Sequence, residues 1–203
     1  MKILNLYAGI GGNRKLWGDS HEITAVEYDP KIAAIYQDFF PNDKVVVGDA
    51  HQYLLEHFSE FDFIWASPPC PSHSRVRFAN QEQNKPIYPE MSLYQEIIFL
   101  KHYFKGLFCV ENVLAFYEPL IRPQEIAKHW FWTNFFLRDF SGGGRGMGSD
   151  ESIENLYKLK GFDLTNYKGI DKMKTMRNCV EPELGKHILD LAINPIELNK
   201  NLF

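Results

Sequence analysis

The strongest constraint in this sequence is the way short apolar runs alternate with amphipathic stretches, each run stopping abruptly at a glycine, an acid or a proline. Residues 2–7 alternate and end in Ala8-Gly9-Ile10-Gly11-Gly12, a strand running into a glycine turn and then, by its pattern, a helix over 13–17. Residues 23–27 read as a second strand. Asp29-Pro30 is an N-cap followed by a proline at the first helical position, opening a helix over 30–40. Residues 45–47, ending in Gly48-Asp49, and 61–66, stopping at Ser67-Pro68-Pro69-Cys70, are the third and fourth strands, with 50–58 helical between them. Strands separated by helices at this spacing imply a doubly wound α/β sheet that is mostly parallel.

The pattern continues beyond a polar, proline-containing loop at 71–89. Residues 91–104 have helical periodicity, 107–110 read as a fifth strand ending at Glu111-Asn112, and 130–136 as a strand late in the sheet. Residues 141–149 are glycine-rich and read as flexible or ligand-ordered, and the last helix spans 182–193. A chain of 203 residues can bury one substantial core with a small appendage.

Composition narrows the class. Hydrophobic residues at 45% and charged residues at 24% fit a folded, soluble chain. No apolar run approaches the roughly 20 residues of a membrane helix. The first residues enter a strand without a signal-peptide cleavage pattern, so a cytoplasmic location and no membrane partner are expected. Cys70, Cys109 and Cys179 are odd in number and lack metal-ligand spacing, so neither a disulfide framework nor a metal is expected. A net charge of −4 weighs mildly against nucleic acid. Locally, however, Lys158, Lys160, Lys168, Lys172, Lys174 and Arg177 face only Asp163 and Asp171 in their stretch, which fits either a solvated face or a phosphate-binding stripe.

The glycine turn, Glu27, Asp49, Cys70 and Glu111 all fall at expected C-terminal strand ends, where open α/β sheets bind ligands. A glycine turn alone is a weak signal. With Glu27 able to accept bonds from ribose hydroxyls and Asp49 able to take an adenine amine, a nucleoside is favoured over a bare turn. The turn is Gly-x-Gly-Gly, which departs from a dinucleotide fingerprint. Cys70 follows two prolines that stiffen the chain, so its thiol is held at a strand exit, whereas Cys109 lies between Phe108 and Val110 and belongs to the core.

These segments carry a family resemblance. Residues 4–12, Ser67-Pro68-Pro69-Cys70-Pro71-Ser72-His73-Ser74 and Val110-Glu111-Asn112-Val113 resemble the first, fourth and sixth motifs of DNA cytosine-5 methyltransferases. Leu159-Lys160-Gly161-Phe162 and Arg177-Asn178-Cys179-Val180-Glu181-Pro182 are similar to the family's last two motifs, in the right order. The resemblance implies a Rossmann-like methyltransferase fold, S-adenosylmethionine as methyl donor with S-adenosylhomocysteine as product, and DNA as partner.

By the same resemblance, Cys70 is the nucleophile and Glu111 the group at the cytosine ring nitrogen, with Asn112 and Ser74 holding the loop and pocket. Tyr7, Ala8, Gly9, Ile10, Gly11, Gly12, Glu27, Tyr28, Asp49, Ala50, Pro69, Asn178 and Val180 surround the cofactor. Where the family's eighth motif carries arginines, this chain has Ala127-Lys128-His129-Trp130, so Lys128 or His129 is the candidate. Arg75, Arg77, Arg145, Lys158, Lys160 and Lys174 are the expected DNA contacts.

Between residues 134 and 159 there is little room for a large recognition domain. This points to a compact, phage-type or restriction-modification member with a catalytic part at 1–137, a reduced recognition lobe at 138–176 and a returning segment at 177–203. A monomer is expected, with a partner subunit left open. The same motifs leave open a tRNA-methylating enzyme, a catalytically silent regulatory homologue and a modified S-adenosyl cofactor.

Overall fold

Strands buried on both faces organise the chain into one sheet between two helical layers. The computed structural model describes residues 1–80, 82–83, 85–140, 142 and 152–194. Among the described residues seven strands are formed: β1 (Lys2–Leu6), β2 (Glu22–Glu27), β3 (Lys44–Val47), β4 (Phe63–Ala66), β5 (Leu107–Val113), β6 (Gln124–Ile126) and β7 (His129–Thr133). Their order is β3-β2-β1-β4-β5-β7-β6, with the first five parallel and β7 antiparallel to both of its neighbours. This is the Rossmann-like arrangement expected of the sequence.

Strand β4 shows how both faces fill. Ile64 and Ala66 join a core with Leu54 of α2 (Ala50–His57) and Leu93, Ile97 and Leu100 of α4 (Ser92–Tyr103). Phe63 and Trp65 join the opposite core, with Leu184, Ile188 and Leu189 of α7 (Pro182–Ile193). Fully buried parallel strands with both faces apolar are the signature of such sheets.

Helix starts follow the caps. The Asp29 carboxylate accepts the Lys31 N–H at 2.8 Å ahead of α1 (Pro30–Phe39), and Asp49 accepts the Gln52 N–H at 3.0 Å ahead of α2. Three further helices are α3 (Arg75–Ala79), α5 (Ile153–Lys160) and α6 (Lys172–Asn178). Leu156, Phe162, Leu164 and Met176 share a core with Ile10 and Ile35, so residues 156–176 of the expected recognition lobe pack against the glycine turn and α1, whereas Phe140 packs on the α7 side.

Several expectations are corrected. Residues 13–17 form successive turns, with Lys15 N–H on Gly12 O and Trp17 N–H on Arg14 O, and no helix. The stretch between Gly12 and Gly18 is too short to nucleate one. Its side chains are also committed elsewhere: Asn13 to Asn5, Trp17 to the Gly185 carbonyl, and Arg14 to Asp43. The 71–89 loop contains α3, and β5 runs on through Glu111 and Asn112 because β7 pairs with it there. The strand expected at 130–136 begins at His129, stops at Thr133 and is the second arm of a hairpin with β6.

Arg14 and Asp43 form a buried bidentate pair, Nε–Oδ2 2.9 Å and Nη2–Oδ1 3.1 Å, and the Tyr36 hydroxyl donates to the same carboxylate at 2.8 Å. The pair ties the glycine turn to the segment entering β3. Arg14→Leu leaves Asp43 buried without its countercharge, so urea denaturation is expected to show a loss of about 3–5 kcal/mol. A loss below about 1 kcal/mol would mean that water reaches and rescues the carboxylate.

Candidate active site

The glycine turn leaves the end of β1 and must pass between two layers. Gly11 has φ +84°, and a Cβ there would stand 2.3 Å from the Phe40 ring. A Cβ on Gly12 would stand 2.3 Å from the Val180 carbonyl and 2.4 Å from the Cys179 sulfur. Val180 therefore closes directly over the turn, and Asn178 ends α6 just before it. Gly9, at φ +55°, has nothing within 4 Å of its Cβ position, so open space lies above that glycine alone of the three.

Around this opening stand the residues expected at the cofactor. The Glu27 carboxylate accepts the Gly9 N–H and the Asp29 N–H, each at 2.9 Å, one on each oxygen. Tyr28 is 77% exposed beside it. Asp49 is exposed and spends one oxygen capping α2, while Ala8, Ile10 and Ala50 are buried. Tyr7 has a left-handed backbone, φ 56°, and its hydroxyl donates to Glu96.

The second group lies across the β1–β4 boundary. Cys70 is half-buried, behind the exposed Pro69, and its carbonyl accepts the His73 and Ser74 N–H groups at 2.9 and 3.1 Å. Ser74 caps α3 by accepting the Val76 N–H. Asn112 fixes the loop from the next strand, its amide donating to the Pro68 carbonyl at 3.0 Å. Glu111 is buried and its charge acts on Cys70. Burial first, and then that neighbouring carboxylate, push the Cys70 thiol above its ordinary range.

Register brings a third residue in. Glu111 pairs with Phe131 and Val113 with His129, which puts Glu111 and His129 on one face, with His129 Nε2 3.8 Å from Glu111 Oε1. The other His129 nitrogen, Nδ1, faces the Ala127 carbonyl at 3.1 Å and so carries a hydrogen. Lys128 is exposed at the hairpin tip, where it and Ala127 both have positive φ. Of the two candidates at this motif, His129 meets Glu111 and Lys128 points the turn.

Residues 1–120 match the family model for C-5 cytosine-specific DNA methylase. The chain belongs to that family. The Type II methyltransferase M.Bsp6I of Bacillus sp. (strain RFL6) is 32% identical over 77 residues, a match covering 36% of this chain and 24% of that protein. This methylase chain thus accounts for about a quarter of its relative's length. Among solved structures, it resembles Spodoptera frugiperda DNMT2, with 25% identity and TM-score 0.39 over 55% of this chain and 35% of that one. It also resembles the Entamoeba histolytica methyltransferase EhMeth, with 15% identity and TM-score 0.37 over 56% and 38%.

The expected DNA contacts of this methylase divide. Arg75 and Arg77 lie on α3, just past the Cys70 loop, with Arg75 Nε on the Ala115 carbonyl at 2.8 Å. Lys158 and Lys174 are exposed on α5 and α6. Lys160 is the correction: it is 7% exposed, and its ammonium donates inward to the Met176 carbonyl at 2.8 Å and to the Cys179 carbonyl. It braces the chain that closes on Gly12 and cannot reach a phosphate. Arg145, and the glycine-rich stretch at 141–149 apart from Gly142, lie outside the described residues.

Sequence reasoning missed the Arg14–Asp43 pair, the buried His73 and its 2.5 Å contact with the Tyr117 hydroxyl, and Glu96. No spacing marks them. Each is an isolated polar residue in a stretch whose pattern is satisfied without it. Among the described residues there is no cluster fit to hold a metal, and no helix is long and apolar enough to cross a membrane.

Cys109 and Cys179 are buried, so alkylation at pH 8 should select Cys70. Its thiolate is opposed by Glu111, so Glu111→Gln lowers the Cys70 pKa and raises the thiolate fraction at that pH. Iodoacetamide labelling followed by mass spectrometry should show a rate profile displaced to lower pH in the variant. A displacement to higher pH would reverse the assigned sign.

Proposed function

We propose that this chain is a DNA cytosine carbon-5 methyltransferase working through a covalent bond from Cys70. The observation that carries the reading is the pairing of a half-buried thiol, on a loop pinned by Asn112 to Pro68, with a buried carboxylate from the adjacent strand that feels its charge. Membership of the C-5 cytosine methylase family supports the same chemistry.

The residues present fit an S-adenosyl cofactor. Gly9 leaves room where backbone must approach a ligand, Glu27 keeps a lone pair on each oxygen for ribose hydroxyls, and one Asp49 oxygen is left for an adenine amine. Tyr28, Ala50, Pro69, Asn178 and Val180 complete the walls. When bound, S-adenosylmethionine supplies a methyl group activated on a sulfonium.

The chain's own groups do the rest. A cytosine in a duplex hides carbon 5 in the stack, so the base is flipped into the pocket. The Cys70 thiol gives up its proton and its sulfur adds to carbon 6, forming a C–S bond as the 5,6 π bond breaks and its electron pair goes to carbon 5, the position methylated; the proton taken up in this step is shared by Glu111 with ring nitrogen 3. His129 lies 3.8 Å from Glu111, close enough for its charge, when protonated, to act on that carboxylate. Loss of the carbon-5 proton to a base then returns the electron pair to the ring and expels the Cys70 sulfur. Arg75 and Arg77 serve DNA beside the loop, with Lys158 and Lys174 on the phosphates, and residues 138–176 take the place of a recognition lobe.

DNA containing 5-fluorocytosine should trap a covalent complex with the wild-type chain and none with Cys70→Ala, because fluorine cannot leave as a proton. Denaturing gel shifts and peptide mass mapping read the adduct, with tRNA run alongside. A methyl-transfer rate in Cys70→Ala equal to wild type would overturn the mechanism, and transfer to tRNA alone would overturn the substrate. Glu27→Ala should weaken S-adenosylhomocysteine binding by about 1–3 kcal/mol for a lost hydrogen-bond acceptor, read by isothermal titration. An unchanged constant would displace the ribose from this corner.

A further inference from the structure

Glu96 lies on the buried face of α4 between Leu93 and Ile97, 1% exposed, where an apolar residue would pack at no electrostatic penalty. Its Oε1 accepts from two donors that come from different loops. One is the Tyr7 hydroxyl, from the residue leading into the glycine turn after β1. The other is His51 Nδ1, at 2.9 Å, from the first turn of α2 after β3. Its Oε2 is buried with no partner among the described residues. Burial pushes the Glu96 carboxyl above its ordinary range, against the pull of the Tyr7 and His51 hydrogen bonds.

Those two loops flank the opening above Gly9, one leading to Glu27's partner and the other carrying Asp49. A single oxygen that binds both fixes the width between them. It also sustains Tyr7 in a left-handed backbone, a conformation that persists in a non-glycine residue only where its surroundings hold it. We propose that Glu96 is a positioning residue for the cofactor, clamping Tyr7 and His51 so that the adenosine side of the site is preformed. The inference rests on the cofactor reading above. It gives a function to a buried acid that the covalent mechanism does not use.

The clamp is strongest with Glu96 as a carboxylate, since both hydrogen bonds are then charge-assisted. The other groups facing it are Tyr7, His51 and Asp49, with Glu90 acting on Tyr7. Because burial raises the Glu96 pKa, its ionisation disfavours the folded chain at neutral pH, so replacing it with leucine relieves a penalty while removing the clamp. Stability and cofactor affinity are therefore expected to part company. A merely structural residue would move them together.

Isothermal titration with S-adenosylhomocysteine, alongside thermal unfolding without ligand, tests this. Glu96→Leu and Tyr7→Phe should each weaken binding about tenfold, the scale of one lost charge-assisted hydrogen bond, with midpoints at or above wild type for Glu96→Leu. The double variant should bind no worse than the weaker single one, because both remove the same link. Glu96→Gln, whose carbonyl oxygen can accept from both Tyr7 and His51 as Oε1 does but without the charge, should recover part of the affinity. It should also abolish the fall in affinity that wild type shows as pH drops through the raised Glu96 range. Wild-type binding in both Tyr7→Phe and folded Glu96→Leu overturns the clamp and leaves the cofactor reading standing. Failure of wild type itself to bind overturns both.

Discussion

The chain reverses its direction of winding once, between β1 and β4, and the site depends on that reversal. From β1 the sheet grows outward through β2 and β3, then restarts on the other side with β4 and β5. The loops leaving β1 and β4 therefore diverge, opening a crevice at the carboxyl ends of two neighbouring strands. The Gly9 turn rises on one side and the Cys70 loop on the other. Parallel register, with Leu6 opposite Ala66 and Ala66 opposite Val110, brings both loops to the same rim as Glu111.

A crevice between diverging loops is a poor place to bury backbone, and the buried polar side chains answer that difficulty. Asn112 satisfies the Pro68 carbonyl, Lys160 the carbonyls of Met176 and Cys179, and Trp17 the carbonyl of Gly185. The Asn112 and Lys160 bonds satisfy carbonyls of a loop and a helix end, and the Trp17 bond ties the 13–17 turns to α7. The antiparallel β7 adds a last constraint. By continuing β5 beyond Val110 it holds Glu111 within a ladder, so the carboxylate has little freedom to swing away from Cys70.

How much of this could be read from the residues alone follows from which forces are local. The start of α1 was legible because Asp29-Pro30 is both cap and first-turn signal, and the full span of α7 because Pro182 opens an apolar pattern that runs to Ile193. The gathering of Gly9, Glu27, Asp49 and Cys70 at or just beyond strand ends was legible because apolar runs end where strands end, whereas Glu111, expected at such an end, lies inside β5. The β6–β7 hairpin was not, since its turn places Ala127 and Lys128 at positive φ without the glycine or asparagine that normally advertises such a turn. Lys160 read as part of a basic stripe because charge patterns carry no record of which residue faces inward. Glu96 was silent for the opposite reason: one acid in an amphipathic helix looks like surface until the packing of α4 buries it.

The electrostatics of the site also bear on the order of events in the proposed reaction. A nucleophilic cysteine is commonly activated by a neighbouring cation, yet Cys70 is opposed by burial and by Glu111. In the free chain these two effects lower the thiolate fraction of Cys70, the form that oxidation and alkylation require, although it is the most accessible of the three thiols. In the proposed reaction, a cytosine entering the pocket would change the balance at once. When Glu111 shares a proton with ring nitrogen 3, its negative charge no longer bears on the sulfur, and the ring becomes more electrophilic at carbon 6 by the same event. Thiolate formation and substrate activation are then one electrostatic step, triggered by the base that reacts, and the ordinary state of the site is an inert one.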